Sequence, residues 1–157
     1  MRGSTPEPLI QPAPPKNKFQ AIYENAYEGN KYRGVSPGER DLQNFIEAAN
    51  PQPGTTVVDW GCGTGRAGYK LWTDYEMDVT LVDFAKNSLD DHIRDASMHE
   101  KGIRFVQQDI TEKCVLPSQF GICVDVMEHI PEEDVDAVLS NILDNSRQAY
   151  FQIAMFH

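Results

Sequence analysis

Three alternating glycines follow an acid in the run Asp59-Trp60-Gly61-Cys62-Gly63-Thr64-Gly65. Glycine lets the backbone take positive φ and brings N–H groups close to a bound molecule. A helix opening directly after such a turn presents its N-terminus to the same molecule. Two ligand classes compete for this loop. Gly63-Thr64-Gly65-Arg66-Ala67-Gly68 fits the GxGxxG spacing of a dinucleotide site, and Asp83, twenty positions beyond Gly63, stands where a ribose-binding acid belongs. Asp59 favours the other class. A carboxylate facing a partly dry cleft repels a pyrophosphate and attracts an ammonium. The loop therefore suits a cationic nucleoside better than a phosphorylated one.

Asp83 offers two acceptor oxygens, which matches the paired hydroxyls of a ribose. Asp109 can accept from an exocyclic amine while the backbone N–H of Ile110 donates to a ring nitrogen. Each aspartate also suits a plainer role, as the N-cap of the segment that follows it. Glu128 and His129 are the candidates for acid–base work; a histidine there can act as general base near neutral pH, or the pair can cap the helix starting at Pro131. His92, His99 and His157 show no metal-ligand spacing, so no metal site is expected.

These residues need elements to hold them. Phe19, Ile22, Tyr23, Ala26 and Tyr27 recur at helical spacing and predict a first amphipathic helix, ended by Gly29 and Asn30. Ser36-Pro37-Gly38-Glu39 reads as a capping box opening a second helix that buries Leu42, Phe45, Ile46 and Ala49. Beyond Pro51 and Pro53 the pattern changes. Thr55–Trp60, Val79–Phe84, Ile103–Val106, Phe120–Asp125 and Ala149–Phe156 are short apolar or β-branched runs and read as five strands. Helices are expected from Arg66 to about Tyr75, up to about Glu100 with Leu89, Ile93 and Ala96 inward, and from Pro131 with Val135, Val138, Leu139, Ile142 and Leu143 on one face. Only about ten residues part the third and fourth strands, room for a turn or one short helical piece. Alternation of strand and helix implies an α/β sandwich, a parallel sheet covered on both faces. Ligands of such sheets bind beyond the carboxyl ends of the strands, where the glycine loop and both later aspartates fall.

Composition sets the outer bounds. With 157 residues, the chain matches one domain at ~100–200 residues per domain. Apolar residues at 40% and charged residues at 24% exclude a wholly disordered chain. Fourteen basic against 24 acidic side chains give a net charge of −10, which argues against nucleic acid or an anionic membrane as partner. Residues 1–40 hold six basic and four acidic side chains, so the remainder carries 8 − 20 = −12. Five of the ten prolines lie in residues 1–15, so residues 1–17 are expected to be an extended tail, a solubilising leader or a cloning remnant, ahead of a domain at 18–157. No apolar run approaches the ~18–20 residues of a membrane span, and no secretory signal is visible. Three cysteines without a CxxC pair fit a reducing, cytoplasmic location.

Four segments together resemble the class I S-adenosylmethionine-dependent methyltransferases, over about residues 36–157. Val57–Gly65 looks like the first motif of that family. Val79-Thr80-Leu81-Val82-Asp83 is similar to the second, whose terminal acid holds the ribose hydroxyls. Val106-Gln107-Gln108-Asp109-Ile110 resembles the third, whose aspartate accepts from the adenine amino group, and Val124–Pro131 looks like the segment after strand four in the small-molecule branch. The resemblance implies a Rossmann-like fold and S-adenosylmethionine as cofactor. Its single net positive charge, with no phosphate, agrees with the acidic rim. It implies Asp59, Gly61, Cys62, Gly63, Gly65, Asp83, Phe84, Asp109, Ile110 and Asp125 as cofactor-binding residues. Tyr23, Tyr27, Tyr32 and Arg33 would lie in a segment packed over the cofactor, with Arg33 on the methionine carboxylate. Methyl transfer to O or N of a small-molecule acceptor by direct displacement is the implied reaction, with His129 or Glu128 as base. The segment after strand four is not Asn/Asp-Pro-Pro-aromatic, so the chain does not resemble members that methylate adenine or glutamine amines.

A complete family domain has seven strands, with a helix and an antiparallel hairpin after the fifth. Here the chain stops at Ala154-Met155-Phe156-His157, inside an apolar run. The expectation is a fold lacking its last strands, by truncation or natural shortening, whose fifth strand is an exposed edge open to a homo-oligomeric contact. Two rival functions stay open: a non-catalytic binding module of the same fold, and an NAD-dependent oxidoreductase built on Gly63–Gly68.

Overall fold

The computed structural model describes residues 18–30 and 32–155. The expected tail at 1–17 lies outside the described residues. Helix α1 runs Lys18–Glu28, α2 Pro37–Arg40 and α3 Leu42–Ala49. Strand β1 (Thr56–Trp60), helix α4 (Arg66–Tyr75), β2 (Asp78–Asp83), α5 (Asp91–His99), β3 (Ile103–Gln107), β4 (Ser118–Val124), α6 (Val135–Asn145) and β5 (Ser146–Gln152) follow in order. Short 3-10 turns at Met127–His129 and Glu132–Asp134 lead into α6.

The five strands form one sheet in the order β3-β2-β1-β4-β5, and every neighbouring pair is parallel. This is the expected α/β sandwich. β1 is central, in register with β2 (Asp59 opposite Leu81) and β4 (Asp59 opposite Ile122). Alternate side chains of the strands point to opposite faces. Val57, Val79, Leu81, Ile103 and Ile122 pack with Phe45, Leu71, Leu89 and Ile93 on one side. Val58, Trp60, Val82 and Cys123 pack with Met127, Val138 and Ile142 on the other. The β3–β4 connection contains a turn at 110–112 and no helix.

Several expectations are corrected. The helix after Ser36 is two pieces, because Asp41 (φ −102°, ψ 7°) breaks the helical path. Ser36 makes no side-chain cap bond, and Glu39 pairs with Lys70 of α4 at 3.0 Å instead of closing a capping box. Ile22 and Leu143, placed on buried faces by periodicity, are 60% and 54% exposed. Leu143 sits one residue, roughly 100° of helix, past the Val138–Ile142 stripe. β5 occupies Ser146–Gln152, not Ala149–Phe156. Its register against β4 runs from Ser118↔Ser146 to Val124↔Gln152, and there it must stop. Asp125 turns to φ +52° and its N–H donates to the Gln152 carbonyl at 2.9 Å, closing the ladder.

Candidate functional site

At the carboxyl edge of β1 the chain turns through Gly61 (φ +71°), Gly63 (φ +53°) and Gly65 (φ +79°). The N–H groups of Gly61 and Cys62 both donate to the Val82 carbonyl, at 2.8 and 2.9 Å, which ties the turn to β2. Space as well as φ demands glycine here. A Cβ at Gly61 would lie 2.6 Å from Val126 Cγ2, and one at Gly65 2.7 Å from Leu89 Cδ2. At Gly68, inside α4, it would strike Leu81 Cδ2. That contact lets α4 settle directly on the sheet, beneath the turn.

The turn roofs one end of a cavity of about 770 Å³. Asp59, Gly61, Cys62, Gly63, Asp83, Phe84, Asp109, Ile110, Asp125, Glu128 and His129 all line it. Gly65 does not; it lies buried beneath the turn as the left-handed N-cap residue of α4. Arg33 does not either. Its guanidinium donates to the carbonyls of Asn87 (2.8 Å), Ser88 (3.2 Å) and Leu89 (3.1 Å) and pairs with Asp90 at 3.1 Å. These bonds hold it on the β2–α5 connection, away from any ligand in the cavity. The arginine on the wall is Arg40, bonded through Nε to Asp41 Oδ1 at 2.9 Å.

The three aspartates differ in their surroundings. Asp59 is 5% exposed, and its Oδ2 is buried without a hydrogen-bond partner among the described residues. Burial pushes its carboxyl up to about 7; the Gly68 backbone N–H opposes this, and the nearby Asp83 adds a smaller push. Asp83 is equally buried but well bonded: Oδ2 accepts from Gly63 N–H at 2.9 Å and Oδ1 from Ala85 N–H at 2.9 Å. Burial raises it to about 6, opposed by these bonds. It thus performs both roles weighed for it, a local turn cap and a brace for the glycine loop. A carboxylate oxygen has room for a second donor, so both oxygens can still receive a diol. Asp109 Oδ1 accepts from Thr111 N–H (3.0 Å) and Thr111 Oγ1 (2.7 Å), again a turn cap that lines the cavity.

One feature was not anticipated from sequence. Asn141 and Asn145, buried on α6, act as a polar ladder under the β3–β4 connection. Asn141 Nδ2 donates to the carbonyls of Ile110 (3.1 Å) and Glu112 (3.0 Å), and Asn145 Nδ2 to that of Cys114 (3.1 Å). They hold the Asp109–Ile110 segment against the cavity. Two asparagines four apart on an otherwise apolar face were the available signal. The N-terminal tyrosines, expected to cover the site, form an aromatic cluster on the cavity: Tyr23 stacks on Tyr32 (centroids 5.7 Å) and meets Phe84 edge-on (5.3 Å), while Tyr27 is buried beside Gly63.

Residues 57–148, more than half the chain, match the family model described as a methyltransferase domain. The chain belongs to the methyltransferase-domain family. Solved structures agree in fold. The domain aligns to 1,6-didemethyltoxoflavin-N1-methyltransferase of Burkholderia thailandensis, solved with 1,6-didemethyltoxoflavin and S-adenosylhomocysteine, at TM-score 0.69 and 18% identity over 89% of this chain and 63% of that one. It aligns to magnesium protoporphyrin IX methyltransferase of Synechocystis PCC 6803 at TM-score 0.63 and 18% identity, over 82% and 68% of the two chains. A Rhodobacter sphaeroides chain assigned to the Zn-dependent alcohol dehydrogenases matches at TM-score 0.64 and 20% identity, over 85% and 56%. The chain spans 63% of the first of these structures and 35% of a coclaurine N-methyltransferase. No curated protein matches it. Among the described residues no helix is long and apolar enough to cross a membrane.

Proposed function

We propose that this methyltransferase domain binds S-adenosylmethionine and transfers its methyl group to nitrogen or oxygen of a small-molecule acceptor by direct displacement. The observation that carries the reading is Asp59, a buried carboxyl on the cavity wall beside three left-handed glycines, whose Oδ2 has no hydrogen-bond partner among the described residues. An isolated buried charge is costly, and an ammonium would satisfy it. A pyrophosphate would raise that cost, which disfavours a dinucleotide despite the GxGxxG spacing.

The residues fit the nucleoside part as well. Asp83, held by Gly63 and Ala85, is the acceptor for a ribose diol. Asp109 and the Ile110 N–H present an acceptor and a donor for an adenine edge, and Phe84 supplies an apolar face. Gly61 and Gly63 let the backbone approach without side-chain interference. Asp125 and Cys62 line the stretch between them. When bound, the cofactor supplies an electrophilic methyl on a sulfonium. The protein's part is to align the acceptor about 3–3.5 Å from that carbon and keep water away. Where the acceptor carries a proton, His129 is the base, exposed at the rim on the Met127–His129 turn, with Glu128 beside it. We place the domain at 18–157.

Isothermal titration with S-adenosylmethionine and S-adenosylhomocysteine tests this reading. Binding of both in the micromolar range is expected. A folded protein that takes up neither at millimolar ligand, or binds NAD instead, overturns it. A non-catalytic module is the second reading, favoured by the side of β5 away from β4, which has no strand partner among the described residues. It predicts no turnover and a concentration-dependent oligomer in light scattering.

A further inference from the structure

Beyond the residues assigned to the cofactor, the cavity wall carries further acidic and aromatic side chains. Glu128, Glu133 and Asp134 line it beyond the end of β4. Aromatic side chains of the N-terminal segment, Phe19, Tyr23 and Tyr32, line the same cavity. The guanidinium on this wall, Arg40, is already bonded to a carboxylate, Asp41. One carboxylate of the three is held on a single side. Glu128 Oε1 accepts from Ala154 N–H at 3.2 Å, while Oε2 is buried with no hydrogen-bond partner among the described residues. Acidic and aromatic side chains line one cavity, an arrangement that attracts organic cations through both charge and ring faces.

We infer that the acceptor is a small amine on a flat apolar body, with Glu128 and Glu133 as its specificity-determining carboxylates. The inference rests on the methyltransferase reading above and narrows its acceptor from nitrogen or oxygen to nitrogen. The chemistry of the step agrees. The ammonium form first gives one proton to His129 or a wall carboxylate, and from there to solvent. The nitrogen lone pair then forms the N–C bond as the C–S bond breaks and sulfur keeps the bonding pair. A thioether and a methylated ammonium result, so positive charge moves from sulfur to nitrogen. Carboxylates around the nitrogen stabilise that charge as it arrives. The same carboxylates would repel a phenolate, a carboxylate or a phosphate acceptor.

Three matched fragments test this: benzylamine, benzyl alcohol and benzoate, titrated calorimetrically into the protein saturated with S-adenosylhomocysteine. Benzylamine is expected to bind at least tenfold more tightly than benzoate, with the alcohol between. In the Glu128→Gln, Glu133→Gln double variant, checked for an unchanged circular dichroism spectrum, the ratio is expected to fall to about threefold or less. Equal or tighter binding of benzoate to the wild-type protein overturns the inference, as does a folded double variant that keeps the full preference, or no binding of benzylamine at millimolar concentration. The cofactor titration separates the two readings. If S-adenosylhomocysteine binds and no amine preference is seen, the acceptor class is wrong and the cofactor reading stands. If S-adenosylhomocysteine does not bind, the cofactor reading fails and the fragments are compared on the protein alone by the same criteria.

Discussion

Gly63 and Asp83 lie twenty positions apart in the chain, and the Gly63 N–H donates to Asp83 Oδ2 at 2.9 Å. The bond joins the first strand's loop to the end of the second, so the carboxylate assigned to ribose also holds the glycine turn in place.

Asp83→Ala is therefore expected to act twice. It removes a diol acceptor, and it leaves the Gly63 and Ala85 N–H groups without their partner, at about 1–3 kcal/mol. Affinity for S-adenosylhomocysteine should fall at least tenfold in calorimetry, with a lower melting temperature. An unchanged affinity would remove Asp83 from the site.

The two buried carboxyls make stability and binding depend on pH in opposite senses. Unfolded, both ionise near ~4. In the native protein Asp83 holds its proton to about 6 and Asp59 to about 7. Between pH ~4 and about 7 the native state then binds more protons than the unfolded one, so their contribution to stability falls as pH rises and levels off above that window. A cationic ligand prefers ionised Asp59, so its affinity should rise with pH up to about 7. Titration at pH 6.5 in buffers of different ionisation enthalpy should show proton release on binding. Asp59→Asn should lose that release and flatten the urea midpoint between pH 5 and 7; the same slope in both proteins would contradict the assignment.

Gly61→Ala should weaken cofactor binding and lower stability by about 1–3 kcal/mol, through its φ of +71° and the 2.6 Å approach to Val126 Cγ2. Adding Val126→Ala removes the clash but not the strain. The double variant should recover part of the loss in a denaturant melt. Full recovery would show that backbone strain contributes little; none would show that the clash does.

Arg33→Lys tests the latch of the N-terminal segment. One guanidinium reaches three carbonyls and Asp90, and Arg66 shares Asp90 at 2.6 Å while donating to the Arg33 carbonyl at 2.8 Å. An ammonium cannot reproduce that planar fork. Faster proteolysis between residues 18 and 36 and faster hydrogen exchange in α1 are expected, with the sheet unaffected. Unchanged exchange would mean that the aromatic contacts and the bond from Asn87 Nδ2 to the Glu24 carbonyl (2.9 Å) seat the helix without the guanidinium.

Much of this protein was legible in its residues. The parallel sheet followed from β-branched runs alternating with amphipathic ones, and the glycine loop followed from spacing alone, because φ above zero and close backbone approach leave few other residue types. Asp59, Asp83 and Asp109 stood at strand ends, where such sheets take ligands. Local pattern failed where partners from distant segments decided the outcome. The polar start of β5, Ser146-Arg147-Gln148, reads as no strand, yet pairing with β4 from Ser118 onward makes it one. Arg33 looked available for a carboxylate until the β2–α5 connection supplied it with carbonyls from residues more than fifty positions away. Asn141 and Asn145 drew no reading from local pattern; their role follows from the backbone carbonyls that the β3–β4 connection brings to them. Periodicity and propensity are properties of a residue and its neighbours in the chain. Which donor meets which acceptor depends on segments that only folding brings together.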